Sequence, residues 1–202
     1  MSRVFIIDDK HADLNIFHNA LENVETDVFF TENAYKFVRY AQELSPDLYI
    51  VNTNMKNTNS RAVIEYLISY KLTTKAPLVA ISDNPQTITY DGISHYLKSE
   101  EISRILPELV RSYCEGGRHY DVLLVEKDLS SPLSITDNNN LSCFKVNDSR
   151  GAQIFLGKNH TKVVAIHCCP TQYKILKRQL KNNNAIYIEN VAYLNKLVSF
   201  IK

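Results

Sequence analysis

The sequence predicts an α/β protein: a doubly wound parallel sheet followed by a second, smaller α/β unit. Three observations predict it. Short apolar runs alternate with stretches of helical spacing from the start of the chain, which implies parallel strands with helices on both faces. The pattern pauses at Glu115-Gly116-Gly117-Arg118, which holds two of the five glycines. It then restarts: residues 120–128 repeat the shape of residues 3–10, an apolar strand that ends in charge.

Each element of the first unit has its own signal. Residues 4–7 are wholly apolar and stop at Asp8-Asp9, which predicts a buried strand. Residues 13–21 place Leu14, Phe17 and Leu21 on one helical face. A second strand is expected at 27–30. A helix follows at 34–44, carrying Phe37, Val38 and Ala41. Residues 48–51 are the third strand, and 61–70 form a helix with Val63, Ile64, Leu67 and Ile68 inward. Strands are expected again at 78–81 and 95–97. The last helix of the unit, 100–114, has Ile102, Ile105, Leu109 and Val110 on its apolar side, and Pro107 should bend or break it.

The second unit shows strands at 120–125, 163–166 and 185–188, the second of them ending at His167. Helices are expected at 172–181 and at 191–201, the latter with Leu194, Leu197, Val198 and Ile201. Residues 130–159 carry little pattern, and the asparagine runs 138–140 and 182–184 read as turns. The unit is too short for five βα repeats, so a trimmed version is expected. The domains are therefore drawn as 1–116, a linker at 117–119, and 120–202.

Composition narrows the class. Of 202 residues, 45% are hydrophobic, which supports a real core. No apolar run is long enough to span a bilayer. The first strand meets acid at once, unlike a signal peptide, so a cytoplasmic location is expected. Cys114, Cys143, Cys168 and Cys169 show no disulfide framework. The Cys168-Cys169 pair reads as small buried residues closing a strand rather than a metal or redox pair. Net charge is +1, but residues 1–119 carry 12 Lys/Arg against 16 Asp/Glu, and residues 120–202 carry 11 against 6. An acidic first part and a basic second part suggest two mutually attracted units.

In open parallel sheets the working site lies beyond the carboxyl ends of the strands. Asp8, Asp9, Asn52 and Ser82 all sit at such ends. With these residues in place, the first unit resembles a chemotaxis-type response-regulator receiver domain, a flavodoxin-like fold. Residues 3–9 match its opening strand and acidic pair. Residues 46–55 match its third strand, and residues 77–82 its fourth, with Ser82 as an accepted alternative to the switch threonine. Residues 92–99 resemble its fifth strand.

The resemblance implies magnesium-assisted transfer of a phosphoryl group to an aspartate, and this chain departs from it at the key positions. Asn52 stands where the acceptor aspartate belongs, and an amide is a poor nucleophile and a poor magnesium ligand. Lys98 lies one residue before the position of the family's lysine, which Ser99 fills; one residue in a strand reverses the face. Lys56 replaces a frequent proline. The stretch 82–92 is short for a full fourth helix. Together these define a pseudo-receiver in which Asp8 and Asp9 keep at most a weak magnesium affinity. The second unit resembles a receiver faintly. Glu126-Lys127-Asp128 stands at its acidic cluster and His167 near the acceptor position, and the lysine argues against a metal site.

The function expected is that of a non-enzymatic, atypical response regulator, acting through phosphorylation-independent contact with protein partners. A homodimer through receiver-type faces is compatible with it. A second reading is a regulator that binds metal or a small ligand, or is phosphorylated at a non-standard residue. A third uses Lys174, Lys177, Arg178 and Lys181, a basic stripe on helix 172–181, to contact nucleic acid. No helix-turn-helix accompanies that stripe, so nucleic acid is disfavoured. No phosphate-binding glycine loop, nucleophile elbow or zinc-ligand spacing appears. Asparagine-, lysine- and tyrosine-rich usage points to an AT-rich bacterial genome.

Overall fold

A computed structural model of the chain describes residues 2–84, 90, 92–127, 142–180 and 185–188. The strand run that opens the chain becomes β1 (Ser2–Ile7), which lies inside a five-stranded parallel sheet. β2 (Thr26–Thr31) pairs on one side of it and β3 (Leu48–Asn52) on the other. β4 (Leu78–Ile81) and β5 (His95–Leu97) extend the sheet beyond β3. The order β2-β1-β3-β4-β5 is that of the flavodoxin-like doubly wound fold. Residues 4–7 of β1, residues 48–51 of β3 and all of β4 are apolar and buried because helices cover both faces.

Helices α1 (His11–Leu21), α2 (Ala34–Leu44) and α3 (Ser60–Ser69) connect these strands. Asn33 and Asn59 cap α2 and α3, accepting from the N–H groups of Lys36 and Ala62. Phe37 and Ala41 of α2 and Val63, Ile64 and Leu67 of α3 cover one face of the sheet, packing on Phe5, Ile7, Tyr49 and Val51. The last helix of the unit, α4 (Ile102–Val110), holds Pro107 inside it. Of the bend or break expected there, the break does not occur. A 3-10 turn, Ser99–Glu101, leads into α4, and a π-helical turn, Arg111–Glu115, continues it. Pro107 lies beyond the first turn and lacks the N–H that would bond the Ser103 carbonyl, yet the helix runs on to Val110 and a wider turn follows. The sequence between β4 and β5 shows no helix at 82–84 or 92–94; the expected loss of a fourth helix falls mainly on residues outside the description.

A second parallel sheet follows Gly116 and Gly117, both of which have positive φ. It comprises β6 (His119–Glu126), β7 (Cys143–Val146), β8 (His160–His167) and β9 (Ala185–Tyr187), in the order β7-β6-β8-β9. That order reproduces the first four strands of the larger sheet, one unit later. Helices α5 (Ser149–Lys158) and α6 (Pro170–Leu180) flank it. β7 and α5 correct the reading of residues 130–159 as unpatterned. Their signal was an Asp148 N-cap, which accepts from Gly151 N–H at 2.7 Å, ahead of Ala152 and Phe155. The helix expected at 191–201 lies outside the described residues.

The two sheets share a core. Phe17, Leu106, Leu109 and Tyr113 on the first unit's side run continuously into Tyr120, Phe144, Phe155 and Leu176 on the second. At the joint His95 Nε2 and the Tyr113 hydroxyl lie 2.7 Å apart, both buried. The His95, Tyr113 and Phe144 rings meet edge to face at centroid separations of 5.4 to 5.6 Å. Asn147 N–H donates to Ser94 C=O at 2.8 Å, so backbone bonding crosses the joint. Asn159 Nδ2 donates to Ser112 C=O, Arg150 to Thr73, and Lys158 stands 3.6 Å from Asp47. The last is an ion pair between the basic and acidic halves of the chain.

Candidate functional site

The strand order fixes where the first unit's polar residues meet. β1 and β3 pair side by side with Ile7 opposite Val51, so Asp8 and Asn52 emerge together at their carboxyl ends. Asp8, Asn52 and Ser82 are all buried. Asn52 Nδ2 donates to Asp8 Oδ2 at 2.7 Å, and Asn54 N–H donates to Asn52 Oδ1 at 2.9 Å. The second bond settles the first. A backbone N–H demands the amide oxygen, so the amide nitrogen faces the carboxylate. Lys10 N–H donates to the other Asp8 oxygen at 3.0 Å. Asp9 Oδ2 accepts from Asn57 N–H at 2.5 Å and Ser82 Oγ from Asn84 N–H at 3.2 Å.

The chemistry of this donor set does not fit a magnesium site of the receiver kind. Such an ion needs oxygen ligands, and one Asp8 oxygen is occupied by an N–H donor from the position that should supply another carboxylate. Among the described residues, no group of three or more His, Cys, Asp and Glu could hold a metal. Asn52 also offers no carboxylate to attack phosphorus.

Lys98 follows β5 and is half exposed; its ammonium lies 3.9 Å from Glu100, and its N–H donates to Glu101. Ser99, one residue on, directs its hydroxyl to Asp83 Oδ1 at 2.9 Å, at the rim beside Ser82.

Two further groupings stand out in the structure. In the second sheet Glu126 at the end of β6 is opposite His167 at the end of β8. Glu126 is fully buried, His167 Nδ1 lies 3.1 Å from its Oε1, and Lys145 forms an ion pair with its Oε2. The strand-end positions of residues 126–128 and of His167 are legible in the sequence, whereas Lys145 is not, because the four-residue β7 carries too little pattern. The other grouping is the His95–Tyr113 joint. Burial holds His95 down to a pKa of about 3, with Lys145 adding to the effect, so its ring is neutral. Burial also pushes the Tyr113 hydroxyl and the Asp148 carboxyl up.

The basic stripe is less continuous than its spacing suggests. Lys174 and Arg178 are exposed, but Lys177 is half-buried, its ammonium 5.7 Å from the Tyr173 ring centroid. Lys181 lies outside the described residues. Leu176 and Leu180 are buried, and the Tyr173 hydroxyl donates to Ala185 C=O at 3.0 Å. The cysteine pair divides: Cys168 is buried, whereas Cys169 is exposed with its sulfur 3.2 Å from Thr171 Oγ1. The expectation of two buried thiols holds for one. Cys168 and Cys169 lie in the short turn between β8 and α6, the first against the core and the second at the surface.

Among the described residues, no helix is long and apolar enough to cross a membrane. No family model matches the chain, and no curated protein matches it. Solved structures do. The manganese-bound response regulator Rcp1 is 15% identical, with a TM-score of 0.48, over 57% of this chain and 96% of that one. The chemotaxis response regulator CheY4 of Vibrio cholerae is 14% identical, with a TM-score of 0.46, over 54% and 98%. A CheY-like receiver domain protein from Methanospirillum hungatei JF-1 is 12% identical, with a TM-score of 0.42, over 55% and 97%.

Proposed function

We propose that this chain is a non-catalytic, receiver-like signalling protein of the cytoplasm that works by contact with protein partners and without phosphorylation. One observation carries the reading: the Asn52 amide closes onto Asp8 at 2.7 Å, where a working receiver needs a free carboxylate pair and an ion. The amide meets the carboxylate's need for a donor within the protein itself, so the pocket is satisfied in a single state. The continuous core between the two sheets supports the same reading, because it presents one joined surface to a partner rather than two swinging units.

The test is intact-mass analysis after incubation with magnesium and a small acyl-phosphate donor, with Asn52→Asp run alongside. No adduct is expected on the native chain. A stoichiometric, magnesium-dependent adduct on the native chain would overturn the proposal and require the acceptor to be mapped.

A further inference from the structure

Two exposed apolar surfaces of this chain fit each other. The first is a groove of about 420 Å³ at the free edge of the larger sheet, between α1 and β2. Leu14, Phe17, Leu21, Val28 and Phe30 line it, and Val28 is 43% exposed although it sits in a strand. Glu22 lines its mouth, with exposed Glu25 just beyond. The second surface is the outer face of α6, where Ile175 is 58% exposed. Lys174 and Arg178, one turn apart, are exposed and form a cationic stripe along one side of it. Among the described residues neither acid has an ion-pair partner, and neither cation has one. A helix with one apolar knob beside a stripe of two cations is complementary to an apolar groove with acid at one end.

We infer that α6 of one copy docks in the α1–β2 groove of a second copy, with Ile175 entering beside Val28 and Lys174 and Arg178 facing Glu22 and Glu25. The occupant is a second copy because both halves of the match lie on this chain, on units of opposite net charge. Such contact is head-to-tail, so it leaves a free groove at one end and a free helix at the other. The inference rests on reading this chain as a contact protein and names one of its contacts.

Sedimentation velocity on the purified full chain tests it, from roughly 1 µM to 1 mM. The mass is expected to rise above 23.2 kDa with concentration. It should fall back in about 500 mM salt, where screening removes the charge pairing. Ile175→Glu and Val28→Glu each alter one exposed residue, so both should keep the wild-type melting temperature and circular dichroism. Each alone should stay monomeric. Mixed, they should give a heterodimer that grows no further, because one chain keeps only its groove and the other only its helix.

A wild-type chain monomeric throughout the range would overturn the inference. So would association that survives in either variant alone, or variants that fail to combine. So would a monomeric chain that binds duplex nucleic acid through Lys174 and Arg178, since α6 would then serve another partner. All these readouts concern the chain by itself, so their failure leaves the acyl-phosphate experiment to judge the signalling proposal separately.

Discussion

Asn52 and His167 hold the same place in the two sheets. Each ends the strand paired beside its unit's first strand, and each bonds a carboxylate at the carboxyl end of that first strand: Asp8, just after β1, at 2.7 Å, and Glu126, the last residue of β6, at 3.1 Å. The repeat suggested by two similar strand ends is thus a repeat of strand order and of a polar contact. In both units the carboxylate at the carboxyl edge is closed by a nitrogen from within the protein.

The first prediction concerns Asn52. Asn52→Asp removes a charge-assisted donor and sets two carboxylates together in a buried place. The variant should lose about 1–3 kcal/mol at neutral pH, less in mild acid, where one carboxyl of the pair takes up a proton. Millimolar magnesium should restore part of that loss by binding the native state of the variant. Urea midpoints with and without magnesium measure both effects. A native midpoint that rises with magnesium would contradict the closed pocket described above.

Glu126 offers a parallel test with a different partner set. Its carboxylate is fully buried between His167 and Lys145. Lys145→Met removes the ammonium and should cost about 2–5 kcal/mol, because a fully buried carboxylate loses its ion-pair partner. Adding Glu126→Gln removes the charge that needs compensating and should recover much of the loss. Equal stability of the single and double variants would show that Lys145 acts through packing instead.

The strands of the larger sheet are legible because β1, β3 and β4 carry buried apolar runs and its helices carry clear apolar faces. The departures at Asn52 and Lys98 were legible too, since motif positions are counted along the chain. The joint was not. Nothing in the spacing of His95, Tyr113 and Phe144 reveals that three elements bring these rings together. β7 is only four residues, with alternate ones half exposed, and α5 contains two glycines, so neither reaches the apolar density that marks an element. Pro107 does not break the helix as local propensity allows, because Leu106, Leu109 and Val110 are buried on one side and hold it.

The joint should be sensitive to acid through His95. Its native pKa is held at about 3 against an ordinary 6.5. Above 6.5 the ring is neutral whether folded or unfolded, and it contributes no pH dependence. Between 6.5 and 3 only the unfolded chain takes up the proton, so stability falls as pH falls. Going from pH 7.5 to 5.5 this one group should cost about 1.4 kcal/mol. His95→Gln keeps a polar side chain for the Tyr113 hydroxyl and does not titrate. The native chain should therefore lose more stability than the variant over that interval, by about that amount, in urea titrations at the two pH values. Parallel losses in both proteins would assign the acid sensitivity to other groups.

Two glycines of α5 give a matched pair. A Cβ on Gly151 would sit 2.7 Å from both Cβ and Oγ of Ser94 and 2.8 Å from Asp148 Oδ1, across the joint between the units. A Cβ on Gly157 would meet nothing within 4 Å. Both changes to alanine bring up to about 1 kcal/mol of helix propensity. Gly157→Ala should show that gain. Gly151→Ala should instead lose about 1–3 kcal/mol, because the Ser94 backbone is tied to Asn147 and cannot retreat freely. Ser94→Gly placed in the same chain opens the space and should return most of the loss. Thermal melts of the three variants decide it. If Gly151→Ala is as stable as Gly157→Ala, the two sheets are not held together as closely at α5 as the Ser94 contact requires.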